Sequence, residues 1–254
     1  MTARHIVAMG GGQDVDDPVF DYVASLLDAP RPKVCLLPTA QSAVPLSVMR
    51  LLSIFPADRF EPTYLDLFAR DDRDLREVIL SQDLVFVGGG NTANLLAVWR
   101  VHGMDAILRE AWESGVVLAG GSAGANCWFE ASTTDSFGPL APLLDGVGLL
   151  PGSFCPHYAN EPSRRPLYHR LVADGFPAGI ACDDLAAVHF EDSEIAGVVS
   201  SHPDARAYRV AQGDDGQVEE RPLSADLPSS AILTPMDRPL ADVRIDPRTD
   251  EGGA

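Results

Sequence analysis

Apolar residues along this chain follow two rhythms. Short unbroken runs at His5–Met9 and residues 34–37, 83–87 and 116–119 are too brief for helices and are bounded by Gly or Pro. They read as strands buried on both faces. Between them the apolar positions recur at helical spacing: Val19, Phe20, Val23, Leu26 and Leu27 within 18–27, then residues 46–55 and Leu75–Leu80. After residue 90 come Leu95, Leu96 and Trp99, and beyond Gly103 come Ile107, Leu108, Ala111 and Trp112. A further strand falls within 60–67. Strands alternating with helices at this spacing predict a three-layer α/β fold, a mostly parallel sheet with helices on both faces.

Beyond Trp128 the pattern changes. Residues 133–151 are rich in loop formers and end in the apolar Gly148-Leu149-Leu150. Strand-like runs return at 178–182, 186–190, 195–199 and 205–210, and the last pairs through Gly213-Asp214-Asp215-Gly216 with 217–219 as an extra β-hairpin toward the C-terminus. With no internal repeat or linker, residues 1–254 read as one domain, with 236–254 as a peripheral arm.

Composition narrows the function classes. A chain of 254 residues with 46% hydrophobic content can bury a large core. Its formal net charge of −18 disfavours nucleic acid and anionic membranes, and means that an acidic substrate needs a local arginine. No apolar run approaches the roughly 20 residues that cross a bilayer. The opening Met1-Thr2-Ala3-Arg4-His5 leads straight into a strand without a signal-peptide core, so a cytoplasmic location is expected. Cys35, Cys127, Cys155 and Cys182 are widely spaced, which suits reduced packing residues rather than disulfides or zinc. No metal or other cofactor is expected, and the chain is expected to act as a monomer or homodimer.

The candidate chemistry centres on Gly120-Gly121-Ser122-Ala123-Gly124, between the run at 116–119 and a helix-compatible segment near Ala125-Asn126-Cys127. A serine on a glycine-flanked turn from strand to helix presents its hydroxyl as a nucleophile, and the N–H groups beyond it can meet an oxyanion. Of the six histidines, His157 stands out, in a Pro-stiffened loop after an apolar segment. A base that faces the serine is expected there. His5, His102, His169, His189 and His202 read as structural or exposed.

The carboxylate that would orient His157 is sought at a strand end, in Gly179-Ile180-Ala181-Cys182-Asp183-Asp184, where alternation lets only one of the two acids face the imidazole. The order Ser, His, Asp departs from the Ser, Asp, His order of α/β-hydrolases. That order would have to join Asp183 or Asp184 to the nearby His189 or to His202. The run Gly88-Gly89-Gly90 ends another strand and can bring the backbone N–H groups of Gly89 and Gly90 to a substrate carbonyl beside that of Ala123. Gly10-Gly11-Gly12-Gln13 ends a strand of the same layer and can line the cleft.

These segments resemble peptidase family S51, the group of aspartyl dipeptidases (peptidase E) and cyanophycinases. The resemblance is carried by Val87-Gly88-Gly89-Gly90-Asn91-Thr92, Gly121 to Asn126, Thr133-Thr134-Asp135, Cys155-Pro156-His157-Tyr158 and Gly179 to Asp184. It implies a fold related to class I glutamine amidotransferases, with Ser122 as nucleophile, His157 as base and Asp184 (alternatively Asp183) as the acidic member. It also implies a serine exopeptidase for short peptides that prefers N-terminal Asp and needs no cofactor. Asp135 matches an acidic residue of the dipeptidases and, with Asn91, is a substrate-binding candidate. Arg164 and Arg165, soon after His157, are the candidates for pairing with a substrate carboxylate. A cyanophycinase-like or isoaspartyl exopeptidase is the alternative within the family, and a non-catalytic amidotransferase-like binding domain the alternative outside it.

Overall fold

A computed structural model describes residues 3–42 and 44–223 and the backbone of residues 231–232. The expected arm at 236–254 lies outside the described residues. The chain begins β1 (His5–Met9), α1 (Pro18–Ser25), β2 (Lys33–Leu37), α2 (Val44–Ile54), β3 (Glu61–Tyr64), α3 (Leu75–Leu80) and β4 (Leu84–Val87). It continues α4 (Thr92–His102), α5 (Met104–Glu113), β5 (Val117–Gly121) and the single turn α6 (Ala123–Asn126). Then follow β6 (Phe129–Thr134), β7 (Ala141–Leu143), β8 (Leu150–Cys155), α7 (Arg164–Ala173) and β9 (Gly179–Cys182). The described strands end with β10 (Ala186–Glu191), β11 (Glu194–Ser200), β12 (Ala207–Gln212), β13 (Val218–Pro222) and β14 (Ala231–Ile232).

The α/β fold has helices on both faces of its main sheet. This eight-stranded sheet runs β14-β11-β10-β1-β5-β4-β2-β3. Strands β1, β5, β4, β2 and β3 are parallel, and β10 adds antiparallel to β1. The unbroken apolar runs follow from burial of both faces. Val7, Val34, Leu36, Leu84 and Phe86 pack with Phe20 of α1 and with Leu51 and Ile54 of α2. The alternate residues Ile6, Cys35, Leu37, Val85 and Leu118 pack with Ile79, Trp99 and Leu108 of α3, α4 and α5. Side-chain caps start the helices: Asp17 accepts from Val19 N–H, Asp74 from Glu77 N–H and Asn91 from Asn94 N–H.

A second sheet, of six strands in the order β13-β12-β9-β8-β6-β7, was not visible in the residue pattern. The stretch read as loop-rich contains the end of β6, all of β7 and the start of β8, and the expected hairpin, β12–β13, forms this sheet's edge. The two sheets share one apolar core: Phe129, Leu150, Phe154, Ile180 and Cys182 join the cluster that holds Ile6 and Leu118. On the other side, Tyr168 and Val172 of α7 pack on Cys155, Ala181 and Val210. No helix among the described residues is long and apolar enough to cross a membrane.

Candidate active site

Ser122 stands where β5 ends and α6 begins, with φ 54° and ψ −114°. This is a conformation that L-residues rarely adopt, and it persists only because the surroundings enforce it. Its N–H donates to the Met9 carbonyl at 3.1 Å, while its own carbonyl accepts from Ala125 and Asn126. The turn needs Gly124, since a Cβ there would lie 2.2 Å from the Val87 carbonyl oxygen of the neighbouring strand. Gly120 is equally constrained, since a Cβ there would lie 2.3 Å from the Gly124 carbonyl oxygen, so these two glycines let the helix turn pack directly on backbone and aim the hydroxyl outward.

His157 follows β8 and also has positive φ, 52°. Two backbone bonds hold its loop, His157 N–H to the Gly10 carbonyl and Tyr158 N–H to the Cys182 carbonyl. Its Nδ1 lies 2.6 Å from Asp184 Oδ1 and its Nε2 lies 2.8 Å from Ser122 Oγ. Because an ionised carboxylate only accepts, Nδ1 carries the proton and Nε2 is left to accept the Ser122 hydroxyl. The imidazole and the Asp184 carboxylate retain about a fifth and a quarter of their exposure. Asp184, despite its short side chain, reaches His157 because the loop after β1 has no side chains in the way: a Cβ on Gly12, at φ +75°, would sit 2.7 Å from Asp184 Cβ.

Asp183, the alternative, does not face His157. Its carboxylate accepts the Ala159 and Arg206 backbone N–H groups at 3.0 Å each, so it orders the histidine loop instead. Burial raises the Asp183 pKa from the ordinary value, against the lowering effect of those two bonds.

Gly88, Gly89 and Gly90 line the cleft next to Ser122, and a Cβ placed on Gly89 would come 3.4 Å from Ser122 Cβ. The N–H groups of Gly89, Gly90 and Ala123 donate to no acceptor among the described residues. The cleft has a volume of about 200 Å³. Gly11, Gly12 and Gln13 line it from the β1 side, together with Ser122 and His157.

The four substrate-binding candidates lie elsewhere. Asn91 is committed to capping α4 and to the Ser136 carbonyl. Asp135 is exposed in the turn after β6 and does not line the cleft. Arg164 is buried, only 3% exposed, where it pairs with Glu161 and donates to the Thr133 carbonyl. Arg165 pairs with Glu220 of β13 beneath the rings of Tyr158 and Tyr208. Burial opposes ionisation of Glu220, but hydrogen bonds from Tyr158 and His169 and the Arg165 charge outweigh it and hold the carboxyl below its ordinary value. Arg165 thus ties α7 to the hairpin, and Arg164 ties it to β6.

The cation that does line the cleft is Arg50, on α2, and sequence reasoning missed it. The signal was weak: Ser47, Arg50, Leu51 and Ile54 fall at i, i+3, i+4 and i+7 on one side of the helix, but only Ser47 interrupts the buried stripe, and Arg50 is exposed at its margin. The four cysteines are free and buried, and burial pushes the Cys35 and Cys155 thiols up to about 12. Among the described residues no group of three or more His, Cys, Asp or Glu is placed to hold a metal ion.

A serine on a strand–helix turn, hydrogen-bonded through an imidazole to a carboxylate on an α/β sheet, is the arrangement of serine-type hydrolases. The comparisons narrow the class. The sequence model of peptidase family S51 matches residues 6–198, and the chain belongs to that family. It is similar to the uncharacterized peptidase YgaJ of Bacillus subtilis (strain 168), at 44% identity over 225 residues, which spans 87% of this chain and 97% of the relative. Peptidase E of Shewanella denitrificans is 36% identical over 89 residues, 34% of this chain and 38% of the relative. Among solved structures, a peptidase from an acI-B1 Actinobacterium superposes with a TM-score of 0.65 at 20% identity, covering 88% of this chain and 95% of that one. The protein is a serine-type peptidase.

Proposed function

We propose that this chain is a serine exopeptidase that hydrolyses short peptides, with N-terminal Asp preferred, through Ser122, His157 and Asp184. The observation that carries the reading is the unbroken hydrogen-bonded chain from Asp184 through His157 to Ser122 at the cleft. His157 Nε2 takes the hydroxyl proton as Ser122 Oγ bonds to the scissile carbonyl carbon, and the N–H groups of Gly89, Gly90 and Ala123 receive the oxyanion. Collapse breaks the C–N bond as His157 returns its proton to the leaving amine. The same imidazole then deprotonates a water that hydrolyses the acyl-enzyme, while Asp184 stabilises each imidazolium.

The small cleft supports short substrates. Its volume of about 200 Å³ falls below the roughly 300–1,000 Å³ that accommodate drug-sized ligands. The preference for Asp follows from the resemblance to aspartyl dipeptidases. The test is a side-by-side assay of Asp-Leu, β-aspartyl-Leu and Leu-Leu with the wild type and Ser122→Ala. Asp-Leu is expected to turn over fastest, and the variant to lose at least about a thousandfold. Retention of the wild-type rate by Ser122→Ala sinks the reading, and faster β-aspartyl-Leu hydrolysis replaces the stated preference with an isoaspartyl one.

A further inference from the structure

We infer that Arg50 is the carboxylate ligand of the substrate. The inference rests on Ser122 as the nucleophile, because it is the serine that makes this cleft the substrate site. Arg50 lines the same cleft as Ser122 and His157, on the face of α2 that also presents Ser47, Leu51 and Ile54.

Its place, rather than its bonding, sets it apart: Arg31, Arg70, Arg109 and Arg206 also bond to backbone carbonyls alone, but among the described residues Arg50 is the arginine that lines this cleft. Arg59, Arg73, Arg76, Arg100, Arg164 and Arg165 each pair with a carboxylate. Among the described residues no carboxylate lies within ion-pair distance of Arg50, whose one hydrogen bond runs from a terminal nitrogen to the Gln13 carbonyl at 2.9 Å. That bond fixes the guanidinium over the β1 loop and leaves most of its five N–H donors for a ligand. Nearby, the Ser47 hydroxyl donates to Gln41 Oε1, which fixes polar groups along the same wall. Below them the floor is apolar, formed by Met9, Phe20 and Phe86.

A guanidinium held at the mouth of an apolar-floored cleft recognises a carboxylate bidentately. On a chain with net charge −18, such an anion has to be attracted locally. The carboxylate has two sources in a short peptide, an acidic side chain or the free C-terminus, and both offer the same planar pair of oxygens.

The experiment compares Arg50→Gln with the wild type on Asp-Leu, Asn-Leu and Asp-Leu-amide, with thermal unfolding as the folding control. The variant is expected to lower kcat/KM for Asp-Leu about 10- to 100-fold more than for the peptide that lacks the recognised carboxylate. Asn-Leu as the spared peptide identifies the side chain, and Asp-Leu-amide identifies the C-terminus. An equal loss on all three peptides overturns the inference and leaves Arg50 as a brace for the loop at Gln13. Calorimetric binding of Asp-Leu to Ser122→Ala and to Ser122→Ala/Arg50→Gln gives a readout free of turnover. Weakening of at least about tenfold in the double variant is expected. Equal affinities, or no binding by Ser122→Ala, overturn the inference. If wild type hydrolyses nothing yet binding still depends on Arg50, the proposed peptidase reading fails and the carboxylate site stands.

Discussion

Gly11 and His157 are packed so closely that a Cβ built on the glycine would lie 2.1 Å from the imidazole Cε1. Gly11 also has φ +130°, so a side chain there is strained as well as obstructed. Gly11→Ala must therefore displace the ring that bridges Ser122 and Asp184. We expect kcat/KM to fall at least about 100-fold, since displacements near 1 Å cost that much at a reacting centre. Gly103→Ala is the control: it is also at positive φ, but a Cβ there meets nothing within 4 Å. It should lower thermal stability while leaving peptide hydrolysis intact.

The backbone at Ser122 stores strain that substitution can release. Ser122→Ala and Ser122→Gly both remove the hydroxyl and its bond to His157, but only glycine accepts φ 54° freely. The glycine variant should be the more stable of the two by about 1 kcal/mol, equivalent to about 2–4 °C in melting temperature for a chain of this size. Calorimetry of the two inactive variants checks this. Equal melting points would falsify the assignment of strain to this residue.

Two adjacent acids should fail differently. Asp184→Asn reverses the hydrogen bond that holds His157 Nδ1–H, and a loss on the order of 10³–10⁴ in kcat is expected with stability nearly kept. Asp183→Asn places an amide against the Ala159 and Arg206 N–H groups. It should cost about 1–3 kcal/mol of stability with a smaller kinetic loss. Denaturant titration and steady-state kinetics on both variants separate the roles.

Acid should weaken the fold through His189. This side chain is buried between Tyr22, whose hydroxyl lies 2.8 Å from Nδ1, and His5, whose Nδ1 lies 2.9 Å from Nε2. Burial, aided by repulsion from His5, lowers its pKa from 6.5 to about 4. The unfolded chain takes up the proton first as pH falls, so the stability linked to His189 is complete above about 6.5 and is lost as pH falls through about 4. Urea midpoints measured between pH 7 and 4.5 should drop, and His189→Gln should flatten that slope. An identical slope in the variant excludes His189 as the origin.

The legible parts of the molecule were those in which packing writes a periodic pattern. Strands β1, β2, β4 and β5 are buried on both faces and so appear as apolar runs, and the glycines that end β4 and β5 mark where backbone meets the cleft. Ser122, His157 and Asp184 could be picked out because each sits at a strand end within a local motif. Strand β6 left no such mark. Its Ser132, Thr133 and Thr134 are buried yet polar, and Asn126 and Arg164 donate to the Thr133 carbonyl, so hydrophobicity could not reveal it. Arg164 and Arg165 were attractive because they follow His157 closely in sequence. Helix α7 nevertheless turns one inward to Glu161 and Thr133 and the other to Glu220. Arg50 is remote from Ser122 in sequence, and only the parallel sheet brings α2 over the same cleft.

The shared core has a consequence for when this peptidase can cut. Ser122 is delivered by the eight-stranded sheet and His157 by the six-stranded one, and Asp184 lies on the short crossing from β9 in one to β10 in the other. Neither sheet alone carries all three residues. In a chain whose sheets have separated, Ser122 and His157 are apart, so the proposed triad exists only once both sheets have come together.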